Sequence, residues 1–185
     1  MSGAPGSGKS TIALLLSRSI NGIVINHDLL KTFFLDTTPA TTPATTTAFD
    51  RAAKLAYALD WILAEDLLQQ GRSVILDSVC NYVSLLEKGA EVAERYGAEY
   101  RVVRCQVEDV EVLDRRLRGR VAMRSQRGGV DVPPVDAEVG EGVDHRKVLR
   151  GKMENPVLPE RGAIVVDSSG SAEECVEEIL RRIVL

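Results

Sequence analysis

One short segment near the start of the chain, residues 3–11 (GAPGSGKST), constrains the fold more than any other feature of the sequence. It matches the pattern G-x-x-x-x-G-K-[ST] at every position. Its glycines allow the backbone to curl with the amide groups pointing inwards, and residues 10–19 that follow have helical spacing. Inward-pointing amides at the N-terminus of a helix form a concave site for a polyphosphate. The segment therefore predicts a phosphate-binding loop that leads into a helix.

Each residue type in this loop has a task in binding a nucleoside triphosphate. Lys9 is expected to reach the β- and γ-phosphates and to take part in catalysis, and the Ser10 hydroxyl is expected to ligate Mg²⁺. The other loop residues expected to surround the phosphates are Gly3, Gly6, Ser7, Gly8 and Thr11. The pattern thus predicts ATP and Mg²⁺ as ligands. The alternative is a glycine-rich turn that binds nothing.

Length and composition limit the classes of protein that remain. The chain has 185 residues and is 44% hydrophobic, which is enough for one buried core but too short for two ordinary domains. We predict a single domain over residues 1–185.

The 23 Lys and Arg against 27 Asp and Glu leave a net charge of -4, which argues against bulk binding of nucleic acid. The apolar runs fall far short of the roughly 20 residues of a membrane span. With no leader and no CxxC pair visible, we expect a cytoplasmic protein.

Short apolar runs and helical patterns alternate along the chain. Four β-branched runs, nearly continuous in hydrophobicity, predict buried parallel strands at residues 22–26, 73–77, 100–105 and 163–167. Segments with helical spacing are predicted at residues 10–19, 49–70, 83–96, 110–123 and 172–183. This alternation predicts an α/β fold, a three-layer sandwich with a mostly parallel sheet.

Three further segments shape the expected architecture. The Thr- and Pro-rich residues 37–47 predict a surface loop, and the Gly- and Pro-rich residues 128–142 predict a flexible lid that begins at an Arg-rich helix near residue 113. A phosphate loop of this kind needs a hydrophobic strand before it, yet only Met1 and Ser2 precede Gly3. We therefore expect a missing or trimmed first strand. With Met1 as the true start, we expect a weakened nucleotide site and an unpaired sheet centre.

Two aspartates lie at the predicted carboxyl edge of the sheet, where ligands of such folds bind. Asp77 ends the second strand and is a candidate for the Mg²⁺ site, with capping of the next helix as the alternative. Asp28 follows the first strand and could accept the proton of an attacking hydroxyl. Its alternative is an N-cap for a helix from Leu29 onward. Lys31 could contact the acceptor, and His27 is interpreted as a capping or packing residue.

A cluster of arginines stands out in a chain that is acidic overall. Its members are Arg115, Arg116, Arg118, Arg120, Arg124 and Arg127. Four of them recur at steps of four, four and three, which predicts one helical face with four guanidinium groups. Such a face is unfavourable unless an anion meets it, and guanidinium groups bind phosphate oxygens bidentately. We expect this face to stabilise the charge on a transferring phosphoryl group, with Arg124 on the substrate. A solvated helix face is the alternative, although only Asp114 lies among them.

Taken together, these motifs resemble a family of small P-loop kinases that includes polynucleotide 5′-hydroxyl kinases and zeta-toxin-like kinases. The similar segments are GAPGSGKST, INHDLLK, VILDSVCNY and LDRRLRGRVAMR. The resemblance implies Lys9 and Ser10 for ATP and Mg²⁺, and Asp28 as general base. It also implies Lys31 on the acceptor, and Arg116 and Arg120 on the phosphates. The chain departs from the family in its absent first strand, in Lys31 where polynucleotide kinases have Arg, and in VCN where Thr-Asn is frequent.

These observations favour a phosphotransferase that moves the γ-phosphoryl group of ATP to a hydroxyl of a small metabolite, nucleotide or nucleic-acid 5′ end. The alternative is a regulatory ATP-binding protein that hydrolyses ATP slowly or not at all. A nucleic-acid-binding protein is disfavoured because the chain offers few aromatic stacking platforms. The identity of the acceptor and the oligomeric state are left open.

Overall fold

The computed structural model describes residues 1–38, 47–80, 82–137 and 142–183. The elements in chain order are α1 (Lys9–Ser19), β1 (Ile23–Asn26), α2 (His27–Thr37), α3 (Ala48–Gln69), β2 (Val74–Asp77), α4 (Val83–Arg95), β3 (Val102–Gln106), α5 (Val110–Arg118), α6 (His145–Glu154), β4 (Ala163–Asp167) and α7 (Ala172–Ile183). Most of the predicted Thr-rich loop, at residues 39–46, and part of the predicted lid, at residues 138–141, lie outside the described residues.

The strands form two parallel pairs. In the first pair, β1 runs beside β2 with Asn26 opposite Asp77, so the two strands end at the same edge. In the second pair, β3 runs beside β4 with Gln106 opposite Asp167. The side chains of these short strands are largely apolar, as expected for a sheet that helices cover on both faces.

Two residues connect the pairs at the centre of the sheet. Ser2 forms a parallel bridge with Arg104 of β3, in which Ser2 N donates to Val103 O at 2.7 Å. The amino group of Met1 donates to Leu76 O of β2 at 2.7 Å. The phosphate loop therefore starts between β2 and β3. The expectation of an unpaired sheet centre is therefore wrong, because Met1 and Ser2 form hydrogen bonds to the strand on either side.

Buried side chains from both ends of the chain form the main core. Ile12 and Leu16 of α1 pack with Ile179 of α7 against strand residues such as Val103 and Val166. Helix α3 contacts β1 and β2 as well as α2. The α/β class and the parallel strand pairing are thus confirmed. None of the described helices is long and apolar enough to span a bilayer.

The predicted strands and four of the five predicted helices lie within two residues of their observed bounds. Helix α5 is the exception, because it ends at Arg118 rather than at residue 123. Gly119 follows it, and its amide donates to Arg115 O at 3.0 Å. Arg120, Arg124 and Arg127 therefore lie beyond the helix, and the prediction of four guanidinium groups on one helical face is wrong.

Helix α6 was not predicted, and α2 begins before Leu29, the residue from which a helix was considered. Helix α6 is capped by Asp144, whose side chain accepts from Lys147 N. Helix α2 begins at His27 directly after β1, two residues before the helix considered from Leu29. Its cap is Asn26, whose side chain accepts from Leu29 N at 3.1 Å. An Asp or Asn that accepts from an amide three residues later was the available sequence signal for both helices.

Candidate active site

A cavity of about 740 Å³ opens where the phosphate loop meets the first turn of α2 and the end of β2. Most of the predicted site residues line it: Gly6, Gly8, Lys9, Ser10, Thr11, Asp28, Lys31, Asp77, Arg116 and Arg120. The structure thus brings together residues that are more than 100 positions apart in sequence. Gly3, Ser7 and Arg124 are not in its wall.

The phosphate loop depends on glycine at positions with positive φ. Gly6 has φ of 86°, and a Cβ at this position would lie 2.9 Å from Leu113 O. Gly3 has φ of 133°, and a Cβ there would overlap Cys105 O. Gly3 therefore allows close packing of the loop on β3, and Gly6 allows close packing on α5. Gly8 precedes α1 without a side-chain cap, so the first amides of the helix are available to an anion.

Lys9 is held against its own loop. Its Nζ donates to Gly3 O and to Ala4 O, both at 3.0 Å. Burial lowers the pKa of Lys9, and the neighbouring carboxylate of Asp77 acts in the opposite direction. A buried ammonium group with a nearby carboxylate is suited to a further anion, because phosphate oxygens can replace the loop carbonyls as hydrogen-bond acceptors.

Two hard oxygen donors could hold Mg²⁺. Ser10 lies in the first turn of α1, and Asp77 ends β2 with only 5% of its surface exposed. Both line the cavity. Described residues contain no cluster of three His, Cys, Asp or Glu side chains. Mg²⁺ binds through one or two protein oxygens, while phosphates and water complete its coordination. The alternative role of Asp77 as a helix cap is excluded, because Tyr82 precedes α4.

Asp28 occupies the first turn of α2. It faces the described residues 119–137 that follow α5, which belong to the predicted lid and are called the lid segment below. Because Asn26 caps the helix, the alternative role of Asp28 as the N-cap is wrong. The Asp28 carboxylate instead accepts a hydrogen bond from Gln126 Nε2 at 2.9 Å. Ser125 Oγ donates to the backbone carbonyl of Asp28 at 2.8 Å. Sequence reasoning missed Gln126, since nothing local marks a residue 98 positions away as a partner.

His27 is buried beside this carboxylate. Its Nδ1 lies 2.7 Å from Asp60 Oδ2 of α3. Its ring stacks on Tyr57, with the ring centroids 4.0 Å apart. His27 therefore packs against α3, and the cap of α2 belongs to Asn26.

Lys31 lies one helical turn after His27 and Asp28, also at the cavity wall. Its Nζ lies 3.3 Å from the centroid of the Phe49 ring, which is a cation–π contact. Burial lowers the pKa of Lys31 to about 8, while Asp28 and Asp50 act in the opposite direction. The ammonium group is thus partly desolvated and lies near Asp28, in a position to meet an anionic group of a ligand.

The arginines divide into those at the cavity and those away from it. Arg116 lines the cavity and donates to Ser168 O and Ser169 O, both at 2.8 Å, beyond the end of β4. Arg120 also lines it, and burial lowers its pKa against the effect of Asp28. Arg127, a member of the predicted arginine face, is a third guanidinium group in the wall.

Arg124 has a different role from the predicted one. It donates to Asp136 at 2.6 and 2.8 Å, to Asp36 at 3.1 Å and to Leu35 O at 3.0 Å. These contacts use its donors to tie the lid segment to the C-terminal half of α2. The structure therefore does not support the prediction that Arg124 binds substrate.

One protein family matches most of the chain. Its description is an AAA domain, and the match covers residues 1–139. The matched part includes the phosphate loop, both candidate aspartates and the cavity arginines. No curated protein sequence matches the chain.

Several solved structures resemble the chain over nearly its whole length. A presumed kinase from Chloroflexus aurantiacus is 20% identical with a TM-score of 0.71, and the match covers 99% of this chain and 93% of that one. A sugar kinase from Janibacter is 16% identical with a TM-score of 0.61, covering 98% and 91%. A gluconokinase from Sinorhizobium meliloti is 17% identical with a TM-score of 0.57, covering 99% and 89%. At these identities the likeness establishes the fold.

Proposed function

We propose that this chain, which belongs to the AAA domain family, is an ATP-dependent kinase that transfers the γ-phosphoryl group to a hydroxyl of a small acceptor. One observation carries the proposal: a single cavity joins the phosphate loop to a carboxylate, Asp28, that is not needed as a helix cap. The fold shared with a sugar kinase and a gluconokinase supports it.

The donor side of the cavity binds the triphosphate. The amides of the loop and the N-terminus of α1 meet the phosphate oxygens, and Lys9 releases Gly3 O and Ala4 O to contact them. Arg120 and Arg127 add positive charge in the same wall. Mg²⁺, held by Ser10 and Asp77, would neutralise charge between the β- and γ-phosphates.

The acceptor side uses the first turn of α2. Asp28 orients the acceptor hydroxyl and receives its proton. The acceptor oxygen bonds to the γ-phosphorus, the bond from that phosphorus to the β–γ bridging oxygen breaks, and ADP leaves. Lys31 pairs with an anionic group of the acceptor. Because an aspartate is a weak base, most of its effect is orientation of the nucleophile.

The lid segment favours a small acceptor over the end of a nucleic acid. Residues 123–127 lie against α2, joined by the contacts of Arg124, Ser125 and Gln126. These contacts close one side of the cavity next to Asp28. The net charge of -4 also disfavours bulk binding of a polynucleotide strand.

The proposal is tested by measuring ADP release from Mg²⁺–ATP with a panel of acceptors that includes sugar acids, polyols, nucleosides and oligonucleotides with a 5′-hydroxyl. We expect at least one small anionic acceptor to raise ADP release well above the basal rate, and Lys9→Ala to abolish that stimulation. ADP release that no acceptor changes would contradict the proposal and favour a regulatory ATP-binding protein.

A further inference from the structure

Two buried polar residues outside the phosphate-binding machinery lie next to the proposed general base. His27 is 4% exposed and Asp60 is 2% exposed, and their side chains are 2.7 Å apart. Because the carboxylate can only accept, His27 Nδ1 carries the proton and donates to Asp60 Oδ2. The second oxygen, Asp60 Oδ1, is buried and has no hydrogen-bond partner among the described residues.

Stability alone does not explain this pair. Burial of a carboxylate with a free oxygen costs free energy, and a buried polar pair is often no more stable than apolar residues of similar volume. Leucine and phenylalanine at these positions could pack between α2 and α3 without that cost. The pair is therefore better explained by what its hydrogen bond fixes in space.

The bond fixes the first turn of α2. Asn26 caps the helix, His27 is attached to α3, and Asp28 follows with its carboxylate at the cavity. Tyr57, one turn before Asp60 on α3, stacks on the imidazole ring and prevents its rotation. Asp28 is thus attached to α3 through its immediate neighbour, and to the lid through Gln126.

We propose that His27 and Asp60 are positioning residues, whose hydrogen bond holds the first turn of α2 where Asp28 meets the acceptor hydroxyl. This inference rests on the proposed kinase function. A base that acts mainly by orientation is sensitive to small displacements, since a misplacement of about 1 Å can lower a rate by about 100-fold.

Two substitutions of His27 separate the Nδ1 atom from the rest of the ring. In His27→Asn the amide nitrogen takes the place of Nδ1 and can still donate to Asp60. In His27→Gln the amide nitrogen takes the place of Nε2, and the bond to Asp60 is lost. With the best acceptor of the panel, we expect His27→Gln to lower kcat by about 10- to 100-fold with the KM for ATP unchanged. We expect His27→Asn to keep most of the wild-type kcat.

Asp60→Leu tests the other partner, and Asp66→Asn, an exposed position on the same helix, is its matched control. We expect Asp60→Leu to lower kcat as much as His27→Gln, the double variant to be no slower than either, and Asp66→Asn to match the wild type. Non-additivity of this kind identifies residues that act as a pair.

Each other outcome has a defined meaning. Equal loss in His27→Asn and His27→Gln would overturn the inference, because the Asp60 bond would then not be what matters. Wild-type kcat in His27→Gln, or a parallel loss of ATP binding, would overturn it as well. If the wild type transfers phosphate to no acceptor, the proposed function fails instead.

The hydrogen bond itself has a readout that is independent of turnover. The chain has 2 histidines, so a downfield proton resonance that persists in His145→Asn and disappears in His27→Gln and Asp60→Leu reports the Nδ1 proton. Absence of this resonance from the wild type would overturn the inference.

Discussion

Lys31 is the cavity residue whose charge we expect to change first as the pH rises above neutrality. Burial lowers its pKa to about 8, so the ammonium form that pairs with an anionic acceptor is present below this pH and is lost above it. We expect the KM for the acceptor to rise above pH 8 by up to about tenfold per pH unit, while the KM for ATP changes little. Steady-state kinetics between pH 6.5 and about 9.5 measure this.

Lys31→Arg is the matched control for that prediction, because a guanidinium group stays charged throughout this range. We expect a changed KM but no rise above pH 8. If Lys31→Arg shows the same rise as the wild type, the rise comes from another group and Lys31 does not bind the acceptor.

At the scale of single residues, the site residues that lie inside local motifs could be predicted from the sequence. Lys9, Ser10, Asp28, Lys31 and Asp77 all lie at the cavity, as their spacing within loops and strand ends indicated. Their partners could not be predicted. Asp60 lies 33 positions from His27 and Gln126 lies 98 from Asp28, and only the packed chain brings these pairs together.

At the scale of elements, α5 packs closely against the phosphate loop at Gly6. A Cβ on Gly6 would meet Leu113 O of α5 at 2.9 Å, and φ of 86° adds strain for any other residue. Left-handed backbone costs about 1–2 kcal/mol outside glycine. We therefore expect Gly6→Ala to displace the loop and weaken ATP binding by about tenfold or more, as measured by calorimetry.

Gly71→Ala is the control that separates strain from contact. Gly71 has φ of 72°, and a Cβ there would meet nothing within 4 Å. It lies at the end of α3, away from the cavity. We expect Gly71→Ala to lower the free energy of unfolding by about 1–2 kcal/mol but to leave the affinity for ATP unchanged. Equal affinity in Gly6→Ala and the wild type would show that α5 does not set the shape of the loop.

The segment after α5 separates two arginines that looked equivalent in the sequence. Arg120 lines the cavity, whereas Arg124 is bound to Asp36 and Asp136. We expect Arg120→Ala to lower kcat by about 100-fold. Arg124→Ala should leave the rate at saturating acceptor near that of the wild type, while limited proteolysis cleaves the lid segment faster. A loss of kcat in Arg124→Ala as large as in Arg120→Ala would contradict this division.

The end of α5 shows why helical periodicity misled here. Arginines four apart continue through Gly119, but a glycine after the last turn ends a helix readily, and its amide closes on Arg115 O. The pattern predicted guanidinium groups at the phosphate site, and Arg116, Arg120 and Arg127 do line the cavity. It could not predict their path, because a chain segment that crosses to α2 follows long-range contacts rather than a local period.

At the scale of the whole molecule, alternation of apolar runs and helical patterns was enough to predict the α/β class, since both depend on periodicities that local sequence contains. The position of the loop could not be predicted in this way: Met1 and Ser2 lie between β2 and β3, and the loop that follows them lines one cavity with Asp28 and Asp77. That convergence of distant residues on one cavity is the basis of the proposed phosphoryl transfer.

The most direct measurement of this claim follows the transferred group itself. The protein is incubated with Mg²⁺ and ATP labelled in the γ-phosphoryl oxygens, together with a mixture of small hydroxyl compounds, and products are identified by mass spectrometry. We predict a labelled phosphate ester of a small acceptor with the wild type, and its loss in Asp28→Asn, which still binds ATP. Labelled inorganic phosphate as the only product, or an ester formed equally by Asp28→Asn, would contradict it.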